Sequence, residues 1–80
     1  MSDDIPRRVR EVVAATFGVA SESLTPASGA STIEAWDSMN QIHLIVALEG
    51  EFGISFEPEA AIMLTTIQSI EDAVRELHGR

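Results

Sequence analysis

Apolar residues return every three to four positions along most of this chain, and they rarely alternate one by one. That spacing turns one face of an α-helix, not of a strand, toward a core. Ile5, Val9, Val12, Val13, Thr16 and Phe17 repeat this way, with Asp4 as a candidate N-cap, Pro6 in the first turn and Gly18 as a stop. A second helix is expected from Asp37 or Ser38 to about Phe52, with Gly53 closing it. Pro58 opens a short third helix through Leu64, which Thr65 and Thr66 interrupt. Ser69 followed by Asp72 resembles a capping box with Asp for the usual Glu or Gln, and the helix behind it carries Ile70, Ala73, Val74 and Leu77. A long polar connection, from about Val19 to Trp36, separates the first two helices, and Ser21 to Leu24 could form a turn within it. Only Ile54-Ser55-Phe56 alternates, too briefly to pair into a sheet. The expected fold is all-α: a small antiparallel four-helix bundle, with three longer helices, one short one and a long first loop. Residues 1–80 make one domain with a modest core.

Charge narrows the function. Thirteen Asp and Glu stand against five Lys and Arg, for a formal charge of -8. Such a chain repels phosphate backbones and anionic bilayers, so neither nucleic acid nor a membrane surface is an expected partner. Every Arg (Arg7, Arg8, Arg10, Arg75 and Arg80) lies near an end, and between Glu11 and Val74 all formal charges are carboxylates. That one-sign middle either keeps the protein in solution or steers it toward basic partners. The absence of cysteine excludes disulfides, zinc–thiolate sites and thiol catalysis. The start, Met1-Ser2-Asp3-Asp4, lacks the apolar run of a secretory signal. No stretch approaches the roughly 18 apolar residues of a membrane span. A cytoplasmic monomer is the expectation.

The second helix has two apolar faces. With Ser38 set at zero and about 100° per residue, Leu44, Ile45, Leu48 and Phe52 fall at roughly 240° to 340°, a sufficient core stripe. Met39, Ile42 and Val46 fall at roughly 40° to 100°, flanked by Ser38 and Glu49 at about 0° and 20°. Either a central helix buries both stripes, or the second is a docking patch rimmed by acid. Ser38 has two readings as well. On its position alone it is an N-cap, and Ser38-x-x-Gln41 fits a capping box. A hydrolytic serine would need a base and an oxyanion hole. His43 lies about 140° around the helix, and His78 belongs to the last turn. No histidine pair or carboxylate series has metal-ligand spacing, and there is no phosphate-binding glycine loop.

The stretch Asp37-Ser38-Met39, followed by an apolar helix ending Ala47-Leu48-Glu49-Gly50-Glu51-Phe52-Gly53-Ile54, resembles the acyl carrier proteins. Their pattern there is Asp-Ser-Leu, then Ala-Leu-Glu-x-x-Phe-x-Ile. Pro58-Glu59, Thr65-Thr66-Ile67 and Ile70-x-Asp72-Ala73-Val74 look like later landmarks of the family, so the resemblance covers nearly the whole chain. It implies a non-catalytic carrier in which a phosphopantetheinyl transferase moves 4′-phosphopantetheine from coenzyme A onto Ser38. Acyl groups would then travel as thioesters on that arm, with aminoacyl or peptidyl cargo as the alternative. Loading ligases or synthases with basic surfaces would dock on Asp37, Met39, Ile42, Val46, Glu49 and Glu51. A helical interaction module with Ser38 as a mere cap is the contrasting reading. Met39 replaces the commoner Leu, His43 and Gly50 stand where acids are frequent, and Ala60, Ile62 and Met63 replace a more acidic short helix. Trp36-Asp37-Ser38 is similar to freestanding carriers of specialised polyketide, aminoacyl or envelope-lipid pathways.

Overall fold

A computed structural model describes residues 4–78, so the Met1-Ser2-Asp3 start and Arg80 lie outside it. Four helices follow in order: α1 (Ile5–Phe17), α2 (Ser38–Phe52), α3 (Pro58–Ala61) and α4 (Ile67–His78). A single 3₁₀ turn, Ser21–Ser23, interrupts the first connection. Among the described residues there is no strand, only an isolated antiparallel bridge between Gly29 and Thr66. The all-α expectation holds.

The core follows the helical repeat. Val9, Val13 and Phe17 of α1, Leu44, Leu48 and Phe52 of α2, and Ile67, Ile70 and Val74 of α4 are buried together. The helix α1 packs against both α2 and α4. Each long N-terminal helix ends on a left-handed glycine. Gly53 sits at φ 65°, and its N–H and that of Ile54 both reach the Glu49 carbonyl, at 2.9 and 3.2 Å. Gly18 closes α1 in the same way, onto Ala14. A β-carbon disfavours that backbone conformation, which is why glycine marks both stops.

One cap and two boundaries differ from the sequence expectation. Asp4 occupies the N-cap position of α1 with helical dihedrals and no side-chain cap bond, and its carboxylate faces Arg7 at 3.6 Å. The short helix α3 ends at Ala61 rather than Leu64. The last helix begins at Ile67, two residues before Ser69, because Thr66 caps it. Thr66 Oγ1 accepts from Ser69 N–H at 3.1 Å, and Ser69 Oγ accepts from Thr66 N–H at 3.1 Å. The reciprocal pair of a capping box is therefore Thr66 with Ser69, and Asp72 instead accepts from Gln68 Nε2.

The long connection is an anchored segment rather than a free loop. Leu24 and Trp36 are buried, and Trp36 stacks on Phe17 with ring centroids 4.9 Å apart. Its backbone also finishes α4. The first N–H groups of a helix lack intrahelical acceptors. Here Ile67 N–H donates to Ser28 O and Gln68 N–H to Pro26 O, each at 2.9 Å, while Ala30 N–H returns a bond to Thr65 O. Gly29 lies so close to Thr65 and Thr66 that a β-carbon there would overlap the Thr65 backbone.

The acidic middle is less uniform than its sequence suggests. Glu71 is buried, with Oε2 3.6 Å from Arg10 Nη1 and no hydrogen bond among the described residues. Glu51 pairs with Arg8, whose Nε lies 3.0 Å from Oε2 and whose Nη2 donates to the Glu51 carbonyl. The Arg8 guanidinium also lies 4.5 Å from the Phe52 ring centroid. Two arginines of α1 thus reach acids on α2 and α4, holding the bundle across both interfaces.

Candidate functional site

Residues 35–41 turn the chain sharply into α2. Trp36 N–H donates to Ile33 O and Asp37 N–H to Ala35 O, each at 3.0 Å. Asp37 then takes the N-cap with an extended backbone, and its Oδ1 accepts from Asn40 N–H at 2.9 Å. Asn40 Nδ2 ties back to Ala35 O at 2.8 Å. The choice between Asp37 and Ser38 as the cap is thereby resolved in favour of Asp37.

Ser38 is consequently the first residue of α2 and is exposed, and its hydroxyl has no hydrogen-bond partner among the described residues. The Ser38-x-x-Gln41 capping box does not form, since Gln41 points the other way. Its Nε2 donates to Ala61 O at 2.9 Å and to Leu64 O at 3.0 Å, while Oε1 accepts from Trp36 Nε1–H. Among the described residues no base attends the serine. His43 Nδ1 lies 3.3 Å from Asn40 Oδ1, and His78 packs edge-on against Phe52, at the opposite end of α2. Among the described residues no group of three His, Asp or Glu gathers to hold a metal ion.

Beside Ser38 opens a groove of about 430 Å³. One wall is α2, through Ser38, Gln41 and Ile42. A second is the first connection, through Ala30, Trp36 and Asp37, and the third is the segment after α3, through Ile62 and Thr65. The surface it presents is mainly apolar, and no cationic side chain of the described residues lines it.

The second stripe of α2 faces solvent. Met39, Ile42 and Val46 are 66%, 60% and 62% exposed, whereas Leu44 and Leu48 are fully buried. Ile45 is half-buried at the edge of the core. Of the acids expected around the stripe, Asp37 is exposed but holds the cap. Glu49 is half-buried, with Oε2 accepting from Phe56 N–H at 2.9 Å, and Glu51 is turned toward Arg8. The structure thus groups Ser38 with Met39, Ile42 and Val46 and sets Glu51 on the α1 side.

Several residues of this region were not assigned roles from the sequence. Ile62 and Met63 are about as exposed as the α2 stripe, at 70% and 71%, because α3 stops early and releases them. Trp36 and Gln41 line the groove from opposite walls. A signal for Gln41 existed: at about 300° on the helical wheel, it is a polar residue inside the core stripe. A half-buried polar group there needs partners, and it has three.

No helix among the described residues is long and apolar enough to cross a membrane. Residues 7–74, which include Ser38 and reach into α4, match the family model described as a phosphopantetheine attachment site.

Proposed function

The chain belongs to the phosphopantetheine attachment family, and on that premise we propose that it is an acyl carrier with Ser38 Oγ as its point of attachment. Membership makes it a carrier domain for the covalent 4′-phosphopantetheine group, and such domains are generally non-catalytic and work with transferases and synthases. The observation that carries the proposal is the division of labour at the start of α2. Asp37 satisfies the helix end, so the Ser38 hydroxyl is left exposed and uncommitted.

The residues there suit a phosphodiester. Ser38 and Met39 occupy the first turn, where backbone N–H groups have no intrahelical acceptor and the positive end of the helix dipole favours an anion. The adjacent Asp37 carboxylate, of the same sign as a phosphodiester, is turned to Asn40 N–H through Oδ1. When bound, the group supplies a terminal thiol that carries cargo as a thioester, and the chain has no cysteine to compete with it. The mainly apolar groove beside Ser38 favours an apolar acyl chain over an aminoacyl group, for whose ammonium Asp37 is the one acidic side chain in the lining. Because attachment draws on coenzyme A, the cytoplasm is the fitting compartment.

Any enzyme that modifies or loads Ser38 approaches along the exposed stripe. Met39, Ile42 and Val46 then form the apolar centre of the docking surface, with Asp37 beside them. Glu49 and Glu51 act on a basic partner through their field rather than by direct contact, since both carboxylates have internal partners.

The test is incubation of the protein and Ser38→Ala with coenzyme A and a broad-specificity phosphopantetheinyl transferase, followed by intact mass. The protein should gain one phosphopantetheine and the variant none. Modification of Ser38→Ala at the unmodified protein's rate would remove Ser38 from the assignment. For cargo, an apolar acyl thioester should shift the indole N–H resonance of Trp36, the chain's single tryptophan, and an aminoacyl thioester should leave it in place. The reverse pattern would move the assignment to aminoacyl cargo.

A further inference from the structure

Gln41 is a polar side chain committed at both ends inside a largely apolar groove. It leaves α2 one turn after Ser38 and crosses to the carbonyls of Ala61 and Leu64 on the facing wall. Its remaining oxygen receives the Trp36 indole N–H from the wall formed by the first connection. Leu64 is itself buried, and the Trp36 ring rests on Phe17, so the groove gives way to core behind these contacts. A side chain that lines one wall and is bonded to the other two spans the groove.

We propose that Gln41 is the positioning residue that sets how deep apolar cargo can reach, through the tie it forms with Trp36 and with the carbonyls of Ala61 and Leu64. This rests on the reading of the groove as the cargo site. Cargo that extends to the tie meets hydrogen-bonded amide and indole groups. Going deeper would strip part-buried donors and acceptors of their partners, which methylene groups cannot replace. Chains short enough to stay above Gln41 are sheltered over their whole length. The distal part of a longer chain stays in solvent and gains no further protection.

The experiment loads the phosphopantetheinylated protein with saturated acyl groups of increasing length and measures thioester cleavage by neutral hydroxylamine. In the unsubstituted protein, cleavage should slow with length and then level off. Gln41→Met keeps the length of the side chain but removes every hydrogen bond of the tie. It should move the plateau to longer chains, each newly sheltered methylene slowing cleavage by up to about fourfold, while the shortest chains react as before. Trp36→Phe preserves the stack on Phe17 and removes only the indole donor, so its plateau should shift less. Identical length profiles in all three proteins would overturn the tie while leaving the groove as the cargo site. Equal acceleration at every length would overturn it too, by showing that the substitutions merely loosen the fold. No length dependence in the unsubstituted protein would overturn the groove reading itself, and the tie with it.

Discussion

Val46 and Leu48 are two residues apart on α2 and point about 160° away from each other. Val46 is 62% exposed and Leu48 is fully buried. Leu48→Ala leaves a cavity among Val9, Leu44, Ile67 and the other core residues, with an expected cost of about 2–5 kcal/mol. At about 0.05–0.15 kcal/mol per residue, the whole domain of 80 residues is stable by about 4–12 kcal/mol, so this one change removes a large share. Val46→Asp is different. Complete burial of a valine side chain is worth about 1.5–3 kcal/mol, and well under half of this one is buried, so the expected loss is about 1 kcal/mol or less. The new carboxylate remains hydrated. Urea denaturation followed by the emission of Trp36, which is buried against Phe17, reads stability in both variants. Initial rates of phosphopantetheine transfer read docking. Val46→Asp should keep nearly the original urea midpoint and lose about tenfold in kcat/KM, equivalent to the ~1.4 kcal/mol of one apolar interface contact. Leu48→Ala should lose a large share of its midpoint and, corrected for the folded fraction, keep its transfer rate. Equal loss of stability in the two variants would refute the two-face reasoning, since it would require Val46 to be part of the core.

Two further substitutions test the frame around Ser38. Asp37→Ala should cost about 0.5–2 kcal/mol by removing the α2 cap, whereas Ser38→Ala should stay within about 0.5 kcal/mol of the parent in a thermal melt. A larger cost for Ser38→Ala than for Asp37→Ala would return the cap to the serine. Gly29→Ala drives a methyl group into the Thr65 backbone, which has no flexible end to yield, and should cost about 1–3 kcal/mol or more. Amide exchange should localise the damage, with Ala30 and Ile67 N–H exchanging faster as the connection lifts from α4. Unchanged protection at both amides would show that the clasp is not held there.

The sequence by itself determined the helices, the stops at Gly18 and Gly53, the core stripe of α2 and the motif that singles out Ser38. Each is written within a few neighbouring residues: a repeat of three to four, a glycine where the backbone turns left-handed, a serine following an aspartate. Tertiary structure decided what that local pattern left open. Asp37 and Ser38 are both good caps, and only the geometry of the turn from Trp36 gave the helix end to Asp37 and freed the serine. Thr66 rather than Ser69 starts α4, because the connection carrying Pro26 and Ser28 supplies acceptors for the helix's first N–H groups. Glu51 and Glu71 read as surface charge until Arg8 and Arg10 are brought across from α1. Gln41 gains its partners at Ala61 and Leu64 only when residues twenty or more positions away fold back over it. Local preferences act within a turn or two and can be read along the chain. The partner of a polar side chain is set by which distant segments pack together, and burial makes that partner obligatory.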